Sequence, residues 1–275
     1  FEVIKDLGIT YQSIGDSDTA KNYYQKALTI NSSYAPALTN LAGIELNTGN
    51  KKNALCLLIK ATESDPKLAA AWGNLANTYI QFGKLTEAEL SIRKSIELNP
   101  NLFNAHFILA SILIKQKKPK EAEQSLRRTI ELKPDFSLAY LNLGSILKDL
   151  GKLQEAEINC RKSIDLNPND FNSHYLLATI FIDQKNLQEA EHFLRNTIKL
   201  KPDFFYAHLN YGAVLKDLGK LEDSLKYTRK AIELKPDFAE AYYNLGNMLK
   251  DLGKLEDALK YTRKAIELKP DFAEA

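Results

Sequence analysis

Apolar and small side chains return along this chain in two sets that recur every 34 residues. Each repeat is counted here from 1 to 34, with Phe1 at position 1. The first set falls at positions 3, 4, 7, 8, 10, 11 and 14, which in the fifth repeat are Ala139, Tyr140, Leu143, Gly144, Ile146, Leu147 and Leu150. That i, i+3, i+4, i+7 spacing describes one face of a helix. The second set falls at positions 17, 20, 24, 27, 28 and 30, here Leu153, Ala156, Cys160, Ser163, Ile164 and Leu166. It predicts a second amphipathic helix. Between the two stands glycine: Gly15, Gly49, Gly83, Gly151, Gly219 and Gly253. Glycine closes a helix because it enters the left-handed conformation at no steric cost. Pro66, Pro100, Pro134, Pro168, Pro202, Pro236 and Pro270 stand at position 32. A proline there cannot continue the second helix. Asp135, Asp203, Asp237 and Asp271 follow the prolines and are expected to cap the next helix. The predicted repeat is helix, tight turn, helix, short turn.

The repeats span 1–34, 35–68, 69–102, 103–136, 137–170, 171–204, 205–238 and 239–272, and residues 273–275 begin a ninth. A fixed period predicts one array over 1–275 with a continuous, thin core. Stacked identical elements present a surface rather than enclose a reaction. Two positions never carry a large side chain. Position 8 is Gly8, Ala42, Ala76, Ala110, Gly144, Ala178, Gly212 and Gly246. Position 20 is Ala20, Ala54, Ala88, Ala122, Ala156, Ala190, Ser224 and Ala258. Helices approach closely only where neither has bulk, so the two are expected to cross there. Lys117 and Lys185 replace the turn glycine, and strain of about 1 kcal/mol is expected at each.

Small residues at position 8, Ala at 20, Ala, Ser or Thr at 27, Pro at 32 and an aromatic or His at 4 resemble the tetratricopeptide repeat (TPR). The likeness covers essentially the whole chain, which resembles the long tandem bacterial TPR proteins. It implies an all-α fold, a right-handed superhelical solenoid of helix-turn-helix hairpins. The first helices would line a concave groove, the second helices would form the back, and eight repeats would make about one superhelical turn.

In that family position 6 faces the groove. Here it is Asn40, Asn74, Asn142, Asn210 and Asn244, interrupted by Asp6, Ile108 and Leu176. Asn is a poor helix former, yet it recurs in mid-helix. A side-chain amide both donates and accepts, so a row of them can hold an extended main chain of any sequence. The row resembles the asparagine ladder in the TPR superhelix of O-GlcNAc transferase. The competing reading is that Asn solvates the groove or bonds within its own repeat. Phe103, Phe107, Phe171, Tyr175, Phe205, Tyr206 and Tyr243 at positions 1, 2 and 5 are either binding anchors or packing at the repeat junction. The TPR clamp for a C-terminal carboxylate is matched only by Lys5 and Asn40, not by Ile9, Ala70 and Asn74.

Charge and candidate chemistry narrow the function. With 37 basic and 35 acidic residues the net charge is +2, too balanced for a dedicated nucleic-acid binder. The basic ridge at Arg93, Arg127, Arg161, Arg195, Arg229 and Arg263 is read as a solvated, ion-paired back. Glu89, Glu123, Glu157 and Glu191 precede four of these arginines by one helical turn. Three of the four histidines, His106, His174 and His208, share position 4, and none, His192 included, has a partner at metal-ligand spacing. No catalytic residue, metal or cofactor is expected. No apolar run is long enough to span a bilayer, so no membrane partner is expected. Cys56 and Cys160 lie too far apart in a linear stack to pair, which suits a reducing compartment, the cytoplasm. The chain opens at Phe1 with no initiator Met, and we expect a piece of a longer protein.

Three functions remain open. The first is a non-catalytic scaffold that binds a protein or peptide segment in the groove. The second is the substrate-recruiting TPR region of a larger enzyme such as a glycosyltransferase. The third, an RNA-reading helical-repeat protein, fits the charge poorly. End-to-end self-association through the last repeat is expected if its second helix stays uncovered.

Overall fold

The computed structural model describes residues 1–270. They group into two compact bodies, one of Phe1–Pro134 and one of the described residues from Asp135 on. The first holds four hairpins: α1 (Glu2–Ser13) with α2 (Ser17–Ile30), α3 (Ala35–Asn47) with α4 (Lys51–Ser64), α5 (Ala69–Gln81) with α6 (Leu85–Leu98), and α7 (Phe103–Lys115) with α8 (Pro119–Leu132). The second holds α9 (Ser137–Asp149) with α10 (Leu153–Leu166), α11 (Phe171–Asp183) with α12 (Leu187–Leu200), α13 (Phe205–Asp217) with α14 (Leu221–Leu234), and α15 (Ala239–Asp251) with α16 (Leu255–Leu268). No strand occurs among the described residues. Each body is an all-α stack of helix-turn-helix hairpins, the solenoid that the periodicity implies.

The turn chemistry follows the period. All six turn glycines have positive φ, from 72° at Gly83 to 87° at Gly15. Lys117 and Lys185 hold the same conformation at φ 59°, so the side chain there carries the strain that glycine avoids. Helix caps correct one expectation. Asp135, Asp203 and Asp237 stand one residue before the cap, and the cap positions are Phe136, Phe204 and Phe238, none of which makes a side-chain cap bond. Asp271 lies outside the described residues. The shifted Asp170 does cap its helix, accepting from the N–H groups of Asn172 and Ser173, as Asp16 caps α2 by accepting from Thr19 N–H. Burying an aromatic ring at the junction is worth more than a cap bond of about 1 kcal/mol.

The small residues are where hairpins close. A Cβ on Gly144 would meet Cys160 Sγ at 2.6 Å and Ala156 O at 3.4 Å. Gly246 meets Thr262 Oγ1 at 2.6 Å and Ala258 O at 3.3 Å, and Gly212 is filled in the same way by Thr228 and Ser224. The helices therefore cross between positions 8 and 20, and the side chain at 24 occupies the space a Cβ would need. In the first repeat that filler is the fully buried Tyr24, whose ring lies 2.6 Å from a Cβ on Gly8.

Between hairpins, core clusters join one repeat to the next. Ala42, Ala54, Leu58 and Leu75 form one, drawn from α3, α4 and α5. The first junction also buries a charge. Glu45, 3% exposed, stands at position 11, where other repeats carry Tyr, Leu or Phe. Lys21 of the preceding repeat pairs with it at 2.7 Å, and Asn50 Nδ2 donates to it at 2.9 Å. The Lys21 bond holds the Glu45 carboxyl below its ordinary range, against the opposing effect of burial.

Three outcomes follow from these positions. Replacing Lys117 or Lys185 by Gly should raise stability in urea denaturation by about 1 kcal/mol each, with the m-value unchanged. Lys21→Ala strands the buried Glu45 carboxylate and should cost about 2 kcal/mol. Because the folded Glu45 carboxyl is depressed, its contribution is present above about pH 4.3 and is lost as pH falls through the folded value. Urea midpoints for the wild type and Glu45→Gln should therefore differ at pH 7, and the difference should shrink as pH falls through the depressed folded value.

Candidate binding face of the first helices

Position 6 is exposed at Asp6 on the first hairpin and half-buried at its asparagines: Asn40 and Asn74 in the first body, Asn142, Asn210 and Asn244 in the second. Ile108 and Leu176 interrupt the rows at the same depth. Two of the asparagines engage the preceding repeat rather than their own. Asn210 Nδ2 donates to Tyr175 Oη at 3.0 Å, which joins α13 to α11. Burial raises the Tyr175 phenol pKa, and the Asn210 bond partly offsets it. Asn40 bonds Tyr24, whose phenol pKa is raised by burial and lowered again by Asn40 and the charge of Lys5. Tyr24 also donates to Gln12 Oε1 at 2.7 Å. Asn74 accepts, through its backbone carbonyl, a bond from Thr78 Oγ1 at 2.8 Å.

The aromatic candidates form chains of rings in the second body. Phe204 links Phe171 at 5.2 Å, Tyr175 at 4.9 Å and Tyr206 at 5.9 Å. Phe238 links Phe205 at 4.7 Å and Tyr206 at 6.2 Å. These are edge contacts of the favourable kind. Most of the rings are packing at the junctions; Tyr206, 44% exposed, stands at the surface. Lys201 lies 4.7 Å above Phe171, and Lys235 lies 4.9 Å above Phe238. In the first body Lys133 covers Phe103 in the same manner at 5.0 Å. Phe107 is half-buried on α7, and Tyr243 lines a cleft of about 520 Å³ with Asn247, Lys250 and Leu259.

Three regular contacts of this architecture were not anticipated from sequence. The ring nitrogens at position 4 reach back to the proline carbonyl of the previous repeat. Trp72 Nε1 donates to Pro66 O at 2.9 Å. His106, His174 and His208 place Nε2 against Pro100, Pro168 and Pro202 O at 2.9, 2.9 and 2.7 Å. A carbonyl accepts only, so each of these histidines carries its proton on Nε2. Along the first helices, Lys148 pairs with Asp183 at 3.0 Å and Lys216 with Asp251 at 2.9 Å. Lysine at position 12 and Asp at position 13 one repeat later was the available signal. The third is the link between position 21 of one repeat and position 16 of the next. Glu89 pairs with Lys118 at 3.1 Å, and Glu191 with Lys220 at 2.7 Å.

The remaining chemistry is structural. Arg93, Arg127, Arg161 and Arg195 pair with Glu89, Glu123, Glu157 and Glu191 at 2.8 to 3.0 Å. Lys5 is bound to Asp6 at 2.7 Å, a bond that raises the Lys5 pKa and occupies the one cation matching a carboxylate clamp. Burial pushes the Cys160 thiol up to about 12, with the charge of Glu157 adding to it. Such a thiol is not a nucleophile at neutral pH. Among the described residues no cluster of His, Cys, Asp and Glu could hold a metal ion. No helix among them is long and apolar enough to cross a membrane.

Comparison with known proteins places this architecture. The family model for the Cilia and flagella-associated protein 70 C-terminal domain matches residues 1–203. A Tetratricopeptide repeat model matches 239–272, and a TPR repeat model matches 212–253. No curated protein sequence matches the chain. Among solved structures, YrrB, described as a TPR protein with an unusual peptide-binding site, is similar with a TM-score of 0.60 and 24% identity, over 67% of this chain and 95% of YrrB. PilF of Pseudomonas aeruginosa gives 0.66 and 19%, over 75% of this chain and 94% of its own. A chain of the APC/C hetero-tetramer Cut9-Hcn1 gives 0.65 and 16%, over 94% of this chain and 52% of its own. At these identities the likeness is one of fold. With residues 1–203 covered by the first of these models and the later repeats by the other two, the chain belongs to the family of the Cilia and flagella-associated protein 70 C-terminal domain and is a tetratricopeptide-repeat protein.

Proposed function

We propose that this chain is a non-catalytic protein-interaction scaffold that forms one continuous array and holds partner segments against the first-helix face of its repeats. The observation that carries the reading is the half-buried Asn210 amide, fixed at 3.0 Å by Tyr175 of the preceding repeat. One N–H of Asn210 goes to Tyr175; its second N–H and its carbonyl have the capacity to pair with a main chain. Asn142 and Asn244 repeat the position in the same body, and Asn40 and Asn74 do so in the first. Tyr206, Tyr243 and Phe107 supply aromatic surface beside them, the residue class that anchors peptides. The peptide-binding site named for YrrB supports the reading by analogy of fold. Cys56, exposed and unpaired, suits a reducing cytoplasm.

Affinity capture with the intact chain tests this directly. Changing Asn74, Asn142 and Asn210 together to Ala should weaken partner recovery by about 100-fold, if each lost bond is worth about 1 kcal/mol. Circular dichroism should show the fold retained, because the positions are half-buried and Ala is a strong helix former. Unchanged recovery removes the reading. An RNA mobility-shift titration should show no complex at any salt concentration; a complex that weakens steeply with salt would instead favour nucleic acid.

A further inference from the structure

The second body divides its charge between its two layers of helices. Residues 135–149, 167–183, 201–217 and 235–251, the first helices with the junctions that lead into them, carry nine carboxylates and five basic residues, all lysine. Residues 150–166, 184–200, 218–234 and 252–268, the second helices with their tight turns, carry 14 basic and 11 acidic residues. The first-helix side is therefore net negative in a chain whose overall charge is +2. Some of its carboxylates are already engaged, Asp183 by Lys148 and Asp251 by Lys216. Asp203 and Asp237 are exposed instead, each directly before a junction ring, Phe204 or Phe238. Tyr206 touches both of those rings, at 5.9 Å from Phe204 and 6.2 Å from Phe238, and is itself 44% exposed. The neighbouring rings show what such a surface takes. Lys201 lies over Phe171 at 4.7 Å, and Lys235 lies over Phe205 at 5.4 Å and Phe238 at 4.9 Å. A cation is drawn to the negative face of a ring. Among the described residues none lies over Tyr206.

We propose that the partner segment held by the second body is basic and seats an arginine on Tyr206, with Asp203 and Asp237 as its counter-ions. This rests on the first-helix face being the binding face and adds the chemistry of what binds there. Arginine suits the site better than lysine, because its planar guanidinium stacks on a ring while its edge N–H groups bond a carboxylate. An acidic segment would meet net like charge, and an apolar one would cover Asp203 and Asp237 without pairing them.

Fluorescence anisotropy of the intact chain with short labelled peptides that alternate Ala with Arg, Lys or Glu tests this. At low salt the Arg peptide should bind, the Lys peptide should bind more weakly, and the Glu peptide should not bind. Asp203→Asn with Asp237→Asn should weaken the Arg peptide about tenfold. Tyr206→Leu, which keeps apolar bulk, should weaken it about fivefold. Glu222→Gln with Asp223→Asn removes the same charge from exposed positions of α14 and should change nothing. All five sites are exposed, so every variant should keep the wild-type circular dichroism. Equal weakening by the two charge-removing pairs overturns the proposal, because net charge alone would then explain binding. Undiminished binding by Tyr206→Leu overturns it too, as does a Lys or Glu peptide that binds as well as the Arg peptide. Partner capture separates this from the reading beneath it. Capture lost in the Asn74, Asn142 and Asn210 variant but full in the Asp203 and Asp237 variant removes the basic partner and leaves the binding face; full capture by both removes both.

Discussion

Each hairpin has two apolar faces, and it can cover only one of them itself. The first is closed where positions 8 and 20 cross, and the second waits for the next repeat. Leu225 makes the dependence visible, since it is buried only because α15 lies over it. This constraint explains why side chains at the junctions are specific while the crossing needs only smallness. Gly144 must admit Cys160, and Gly246 must admit Thr262, but the junctions carry ion pairs, ring contacts and His-to-proline bonds in combinations that change along the chain.

The same division of labour separates stability from recognition. The backs of the second helices spend their charges on one another, Arg on Glu within a helix and Glu on Lys between repeats. Exposed pairs of this kind contribute little each, about 0 to 1 kcal/mol, but they keep the ridge solvated and neutral. The first helices instead carry amides and aromatic rings at half-buried positions. Apart from Lys5 with Asp6 within α1, their ion pairs, such as Lys148 with Asp183, run between neighbouring repeats and add no net charge to the face.

Much of this was legible because the period sorts residues by role. Turn glycines, terminating prolines and small crossing residues each follow from one backbone requirement, and Lys117 and Lys185 took the left-handed turn conformation that their register implies. The caps were misread because Asp is a good N-cap residue in isolation, whereas at these junctions ring packing by Phe204 and Phe238 decides the register. The Lys21–Glu45 pair was hidden because its partners lie in different repeats and Glu45 breaks an apolar position. The tie between Asn210 and Tyr175 was hidden for the same reason: each residue was read along its own helix, and the bond crosses from α13 to α11.

The central claim is that partners meet the first-helix face and not the back. A photo-crosslinking phenylalanine analogue placed at Tyr206, 44% exposed, and separately at Leu90, 68% exposed on α6, compares the two surfaces in the intact chain. The account predicts covalent partner adducts from position 206 and none from position 90. Adducts from position 90 alone would contradict it.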